Sequence, residues 1–287
     1  MIAVLKHELR MYFRSLTAYV FGAFLLAFVG LGAMLYNIQA AVSNFEFVLS
    51  FSCLGFTIIV PILTMRVIAE EKKQRTDQLL YSLPITTTQV ILGKYLALLI
   101  LYLIPLCIIA FYPLIFAQFG DVYLLTSYGS IVAFFLLGAV LIAVGVFISS
   151  LTDNQGFAAG IGVAVILLNY YSVNLSEYVS STAVGSVIAM LIIALILGTV
   201  IHHLTGNENF AFAICILLIA AVGVGYLLAP SAFEGLLPSI MKQLSLFERF
   251  NGFVNGVFDL TAVVYDLSVI AFFLFLSVQS LEKRRYN

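Results

Sequence analysis

The chain has 287 residues, 63% of them hydrophobic and 9% charged, with a formal net charge of -1 and a mean hydropathy of +1.12. Soluble domains carry roughly 25% charged residues, so this composition excludes a water-soluble fold, and a net charge this small gives no field that would hold nucleic acid. In lipid every backbone polar group must be paired inside the chain, which leaves helices or a closed barrel. The apolar runs are about twenty residues long, as a spanning helix requires, and they lack the short alternating strands of a barrel. The expected fold class is therefore all-α, a polytopic membrane helical bundle.

The first fifteen residues, MIAVLKHELRMYFRS, contain no short apolar core followed by a small-residue cleavage site, so a cleavable signal peptide is not expected. Ile2, Leu5, Leu9, Tyr12 and Phe13 recur at helical spacing, with Lys6, Arg10 and Arg14 on another face. That pattern predicts an interfacial amphipathic helix over 1–15. Eight spans follow, at about 16–36, 47–69, 95–117, 127–149, 156–175, 180–201, 210–229 and 258–280. The polar stretch 168–182 between the fifth and sixth leaves open whether these are two spans or one longer irregular element.

With the amino terminus inside, the inner segments hold Lys6, Arg10, Arg14, Arg66, Lys72, Lys73, Arg75, Lys94, Lys283, Arg284 and Arg285, eleven of the 13 cations. Only Lys242 and Arg249 fall outside. This bias predicts both termini in the cytoplasm and a multi-pass protein of the cell (inner or cytoplasmic) membrane. The long outer segment 230–257 carries Phe247, Phe250 and Val254, which with Phe258 recur at helical spacing. They predict either a helix lying on the outer face or a plain connecting loop. A single transmembrane domain over 1–287 is expected.

Catalytic patterns are not found. Neither a metal-binding HExxH nor a phosphate-binding GxxxxGK[ST] occurs. Cys53, Cys107 and Cys215 fall in apolar runs without ligand spacing, and His202 and His203 sit at a span end. Buried ionisable groups mark ion pathways, and Asp266 is the one candidate within a span. Pro61, Pro105 and Pro113 fall within spans and can kink them. Gly156 and Gly160 form a GxxxG pattern suited to close helix packing.

The stretch 70–94, EEKKQRTDQLLYSLPITTTQVILGK, interrupts this apolar chain with Lys72, Lys73, Arg75 and Lys94 between two spans. Leu79, Leu80 and Leu83 punctuate the polar residues, Pro84 ends a helix, and Thr86–Thr88 offer hydroxyls to cap the next. The residues by themselves fit a short helix that docks on a soluble partner, and equally a solvated loop.

Here the sequence resembles type-2 ABC transporter permeases. Their pattern after the second span is an acidic-basic cluster, Thr-x-[Glu/Asp/Gln]-Leu-Leu, Leu-Pro-[Ile/Leu]-[Ser/Thr] and Gly-Lys. It falls on Glu70, Glu71, Lys72, Thr76, Gln78, Leu79, Leu80, Leu83, Pro84, Ile85, Thr86, Gly93 and Lys94. The glycine common before the threonine is Arg75 here. VFISSLTDNQ is similar to a second family stretch, and the tail SLFERFNGFVNGVFDLTAVVYDLSVIAFFLFLSVQSLEKRR resembles the gliding-motility and copper-enzyme-maturation subfamily.

The resemblance implies a permease that is not itself an enzyme and exports a substrate with a separate ABC ATP-binding subunit. It implies a second copy of the chain, or a related permease, in the complex. Cofactors are expected in the partner, as ATP and Mg, and none in this chain. The ATPase-docking residues implied are Glu70, Glu71, Thr76, Asp77, Gln78, Leu79, Leu80, Leu83, Pro84 and Thr86, in a cytoplasmic coupling helix. Residues 1–15 are implied to be the connecting helix. The alternative from a different class is an ion-coupled carrier or channel that works without an ATPase, with Asp266 as its coupling group.

Overall fold

The computed structural model describes residues 1–76 and 85–286, with the backbone alone for 203–205 and 285–286. Among the described residues every regular element is helical. The amphipathic start forms α1 (Ile2–Arg14). Ser15 turns extended and breaks it from α2 (Leu16–Gly32), which runs on as a π-helical stretch over Ala33–Gln39. Next come α3 (Glu46–Thr64) and the short α4 (Ala69–Gln74), then α5 (Thr87–Ile109), the one-turn α6 (Tyr112–Phe116) and α7 (Leu124–Leu151). The remaining helices are α8 (Gln155–Tyr170), α9 (Ser172–Tyr178), α10 (Ala183–Thr205), α11 (Glu208–Leu228), α12 (Leu236–Leu244), α13 (Leu246–Val254) and α14 (Leu260–Tyr286).

Seven helical stretches are long and apolar enough to cross a membrane: Leu16–Gln39, Glu46–Gln74, Thr87–Phe116, Leu124–Leu151, Ala183–His202, Glu208–Leu228 and Leu260–Arg284. An eighth results if α8 and α9, bent by 62° at Tyr171, are taken as one span. The polar stretch that left the fifth and sixth spans open thus becomes a break inside the fifth. Pro61 and Pro105 lie inside α3 and α5, but Pro113 opens α6. In a first helical turn the missing N–H of proline costs nothing.

The chain divides into two compact units. The first joins Met1–Tyr170 to Arg249–Arg285. Its core is the pair α3 and α7, both buried along most of their length. Phe56 stacks on Phe134 with ring centroids 4.5 Å apart, and the Tyr102 hydroxyl donates to the Phe134 carbonyl at 2.7 Å. Helices approach this closely because glycine faces them. A Cβ on Gly138 would stand 2.5 Å from the Tyr102 ring, and one on Gly145 would collide with Thr64. Small residues are the usual means of helix packing in lipid, where apolar side chains gain little by leaving the solvent. The GxxxG pattern is not used this way inside the unit, since a Cβ on Gly160 would meet open space; Gly162 packs instead, on Pro61.

The second unit, Tyr171–Glu248, pairs α10 with α11 across a tight turn. Gly206 ends α10 in the left-handed region at φ +67°, and the Asn207 side chain accepts from the Phe210 amide at 3.2 Å to cap α11. The amphipathic α12 packs on α9 in the same unit. The segment 230–257, open between a helix and a plain connecting loop, contains the two helices α12 and α13, broken at extended Ser245. Phe258 lies beyond them, because the chain leaves the helix at Gly256 with φ +79°.

Candidate functional site

The charged interruption is built into the first unit at both of its ends. On the entry side α7 finishes with two serines. The Ser149 hydroxyl accepts from the amides of Ile68 and Ala69, both at 3.1 Å, and donates to the Met65 carbonyl at 3.2 Å. First-turn amides have no acceptor within their own helix, so a side chain from α7 caps α4. The Ser150 carbonyl accepts from Lys72 Nζ and from Ser280 Oγ, the latter at 3.0 Å. Lys72, part of the acidic-basic cluster, is buried.

On the exit side Thr86 caps α5, its hydroxyl accepting from the Gln89 amide at 3.3 Å. Two turns on, Lys94 is 1% exposed. Its ammonium donates to Glu8 Oε1 at 2.7 Å, to Glu71 Oε1 at 2.7 Å and to the Val67 carbonyl at 3.1 Å. An ammonium has three donors, and all three are used. Removing such charges from water costs several kcal/mol per ion, and close charge-assisted bonds of this kind are what repay it. Gly93 lets α1 approach: a Cβ there would lie 3.0 Å from Val4. Tyr12 is buried beside the cluster. Burial, with the Glu8 and Glu71 carboxylates adding to it, pushes its phenol well above the ordinary value and keeps it neutral.

The end of α14 closes the arrangement. Glu282 Oε1 accepts from Thr87 Oγ1 at 2.7 Å, and Arg284 pairs with Asp153 at 2.9 Å. The middle of α1, the ends of α4, α7 and α14 and the start of α5 therefore meet.

The predicted docking residues are distributed as follows. Glu71 turns its carboxylate inward to Lys94. Glu70 pairs with Arg66 at 3.4 Å along the helix and is half-buried, and Thr76 Oγ1 donates to the Glu71 carbonyl at 3.4 Å. Thr86 is a cap. Asp77, Gln78, Leu79, Leu80, Leu83 and Pro84 lie outside the described residues. Arg75 takes φ +57° as the cap that ends α4, the left-handed conformation in which glycine is favoured.

Sequence reasoning missed Glu8, whose only signal was its place four residues from Val4 and from Tyr12 on the face that becomes buried. It also missed Glu46, buried at the other end of α3, where it accepts from Ser127 Oγ at 2.9 Å. Asp266 is buried, with Oδ1 lacking a hydrogen-bond partner among the described residues, and the Arg249 guanidinium lies 3.8 Å over the neighbouring Tyr265 ring. No group of three or more His, Cys, Asp and Glu able to hold a metal occurs among the described residues. The cluster at Lys94 joins Glu71 and Lys94, at the two ends of the 70–94 segment, to Glu8 of α1.

A family profile described as ABC-2 family transporter protein matches residues 31–173, about half of the chain. That span contains α3 and α4, the charged interruption, the Gly-Lys at the start of α5 and the serine pair that ends α7. The chain belongs to the type-2 ABC transporter permease family. No curated protein matches it. As an ABC permease it is a multi-pass membrane component of transport. Permeases of this family generally work with an ATP-binding subunit. Of the structural node, Glu71, Thr87, Lys94 and Ser149 thus lie within the matched residues, and the partners Glu8 and Glu282 lie outside them.

Proposed function

We propose that this permease is the membrane half of an exporter driven by a separate ATP-binding subunit that docks on the segment between α4 and α5. The observation that carries the reading is the double anchoring of that segment. A loop that only connected two spans would have no need for a buried Lys94–Glu8–Glu71 cluster at one end and a Ser149 cap at the other. A loop that transmits force needs stiff ends. Movement of the docking segment would pass through Lys94 into α5 and α1, and through Ser149 and Ser150 into α7 and α14.

In this reading the node faces the cytoplasm, where the basic residues belong, and both chain ends lie on that side. The chain then crosses eight times, with α8 and α9 counted as one span. A second copy or a related permease completes the complex, since two ATPase subunits that close around ATP need two docking segments. Closure of the ATPases would convert the bundle between inward- and outward-open states and move the substrate out.

The test is ATP-driven transport by the reconstituted complex carrying Leu79→Asp and Leu80→Asp. Loss of transport and of ATPase association, with the permease still inserted, is expected. Full transport by the double variant would overturn the docking assignment.

A further inference from the structure

The face of α1 opposite the node has no partner among the described residues. Glu8 and Tyr12 are buried, but Lys6, Arg10 and Arg14 are exposed and form no ion pair among the described residues. They recur every four residues, so they share one side of the helix at intervals of about 6 Å. Beside them runs an uncovered apolar edge, with Ile2 73% exposed and Phe13 41%. Beyond the break at Ser15, Leu16, Tyr19 and Val20 in the first turns of α2 are also exposed.

We propose that this side of α1 is a binding surface for anionic phospholipid, with Lys6, Arg10 and Arg14 paired to headgroup phosphates and the Ile2–Phe13 edge in the acyl layer beneath. Whatever neutralises the cations must also cover the apolar edge that adjoins them. A bilayer offers both at neighbouring depths, phosphates above and chains below. The start of α2 sets that depth, because Leu16–Gln39 is long and apolar enough to cross a membrane and begins directly after α1. An acidic protein surface would neutralise the cations and leave Ile2 and Phe13 uncovered. The inference requires only that the chain lies in a membrane, and it holds whether or not an ATPase docks on the neighbouring segment. Since Glu8 ties the inner side of α1 to Lys94, lipid bound on the outer side would also hold the node against the bilayer.

The chain contains no tryptophan, so Phe13→Trp makes a single fluorescent reporter at the apolar edge. The permease alone is reconstituted in vesicles of equal parts phosphatidylglycerol and phosphatidylcholine, with brominated chains on one lipid or the other. Quenching several-fold stronger by brominated phosphatidylglycerol is expected, given about a fivefold gain per basic residue at an anionic surface. The preference should vanish in Lys6→Gln, Arg10→Gln, Arg14→Gln, survive in Arg10→Lys, Arg14→Lys, and fade at about 1 M salt, where screening acts within roughly 3 Å. A Phe119→Trp reporter in the exposed loop after α6 should show no preference. Equal quenching by the two lipids at Phe13→Trp, or a preference that persists in the triple variant, would overturn the proposal. Equal quenching combined with loss of ATPase association in the triple variant would assign the cations to a protein surface instead.

Discussion

Arg75 stands where the family pattern places glycine, and its backbone shows why: φ is +57° at the residue that closes α4. The left-handed region costs an L-residue roughly 1–2 kcal/mol and glycine almost nothing. Arg75→Gly should therefore raise the melting temperature in detergent or leave it unchanged, whereas Arg75→Val, branched at Cβ, should lower it. The opposite order would mean that the arginine side chain, not the backbone, decides this position. Lys94 makes the larger prediction. Lys94→Met would leave Glu8 and Glu71 without their common cation, and breaking a buried pair costs about 3–5 kcal/mol. Replacing all three by methionine should recover much of that loss, because a well-packed apolar set is often as stable as the ions it replaces. A single variant as stable as the parent would show that the cluster is not ionised as drawn. This pairing was not legible in the sequence. Glu8 and Lys94 are 86 positions apart, and nothing in the local spacing of either announces the other.

Helices were easier to read than their partners. The amphipathic helix at the start of the chain and the threonine cap of α5 follow from local spacing and are present, and of the two readings left open for 230–257 the helical one holds, as two helices. Packing was not readable in the same way. A glycine pair at four-residue spacing can face a neighbour or open space, and Gly160 faces space while Gly138 and Gly145, which form no such motif, carry the tightest approaches. The core prediction follows from that geometry. Gly138→Ala would push a methyl against the Tyr102 ring, whose hydroxyl is held by the Phe134 carbonyl, and overpacking of this kind costs about 1–3 kcal/mol. Gly160→Ala should be neutral within one chain. Comparable melting temperatures for the two variants would contradict the packing described for α5 and α7.

For the whole molecule, length and apolar content determine the class, and the number of crossings turns on one bend of 62° between α8 and α9. Composition reports that a segment is apolar, not whether it stays straight, so the polar stretch around Tyr171 could not be resolved from the sequence. Pairing of permeases belongs to this scale. Gly156, Gly160 and Ala164 lie exposed at four-residue spacing on α8, which suits close contact with an identical helix. With Cys53, Cys107 and Cys215 replaced, Gly160→Cys and Ala164→Cys should cross-link to a dimer in native membranes, and Leu168→Cys less readily. Dimers that form equally from cysteines anywhere on the surface would not support this face. The central claim is that the segment between α4 and α5 transmits work from an ATPase. Its most direct measurement is a photo-crosslinking amino acid at Leu80 in native membranes, with the product identified by mass spectrometry. The account predicts an adduct to an ATP-binding-cassette subunit from Leu80 and none from Phe119; an adduct to that subunit from Phe119, or only lipid adducts from Leu80, would contradict it.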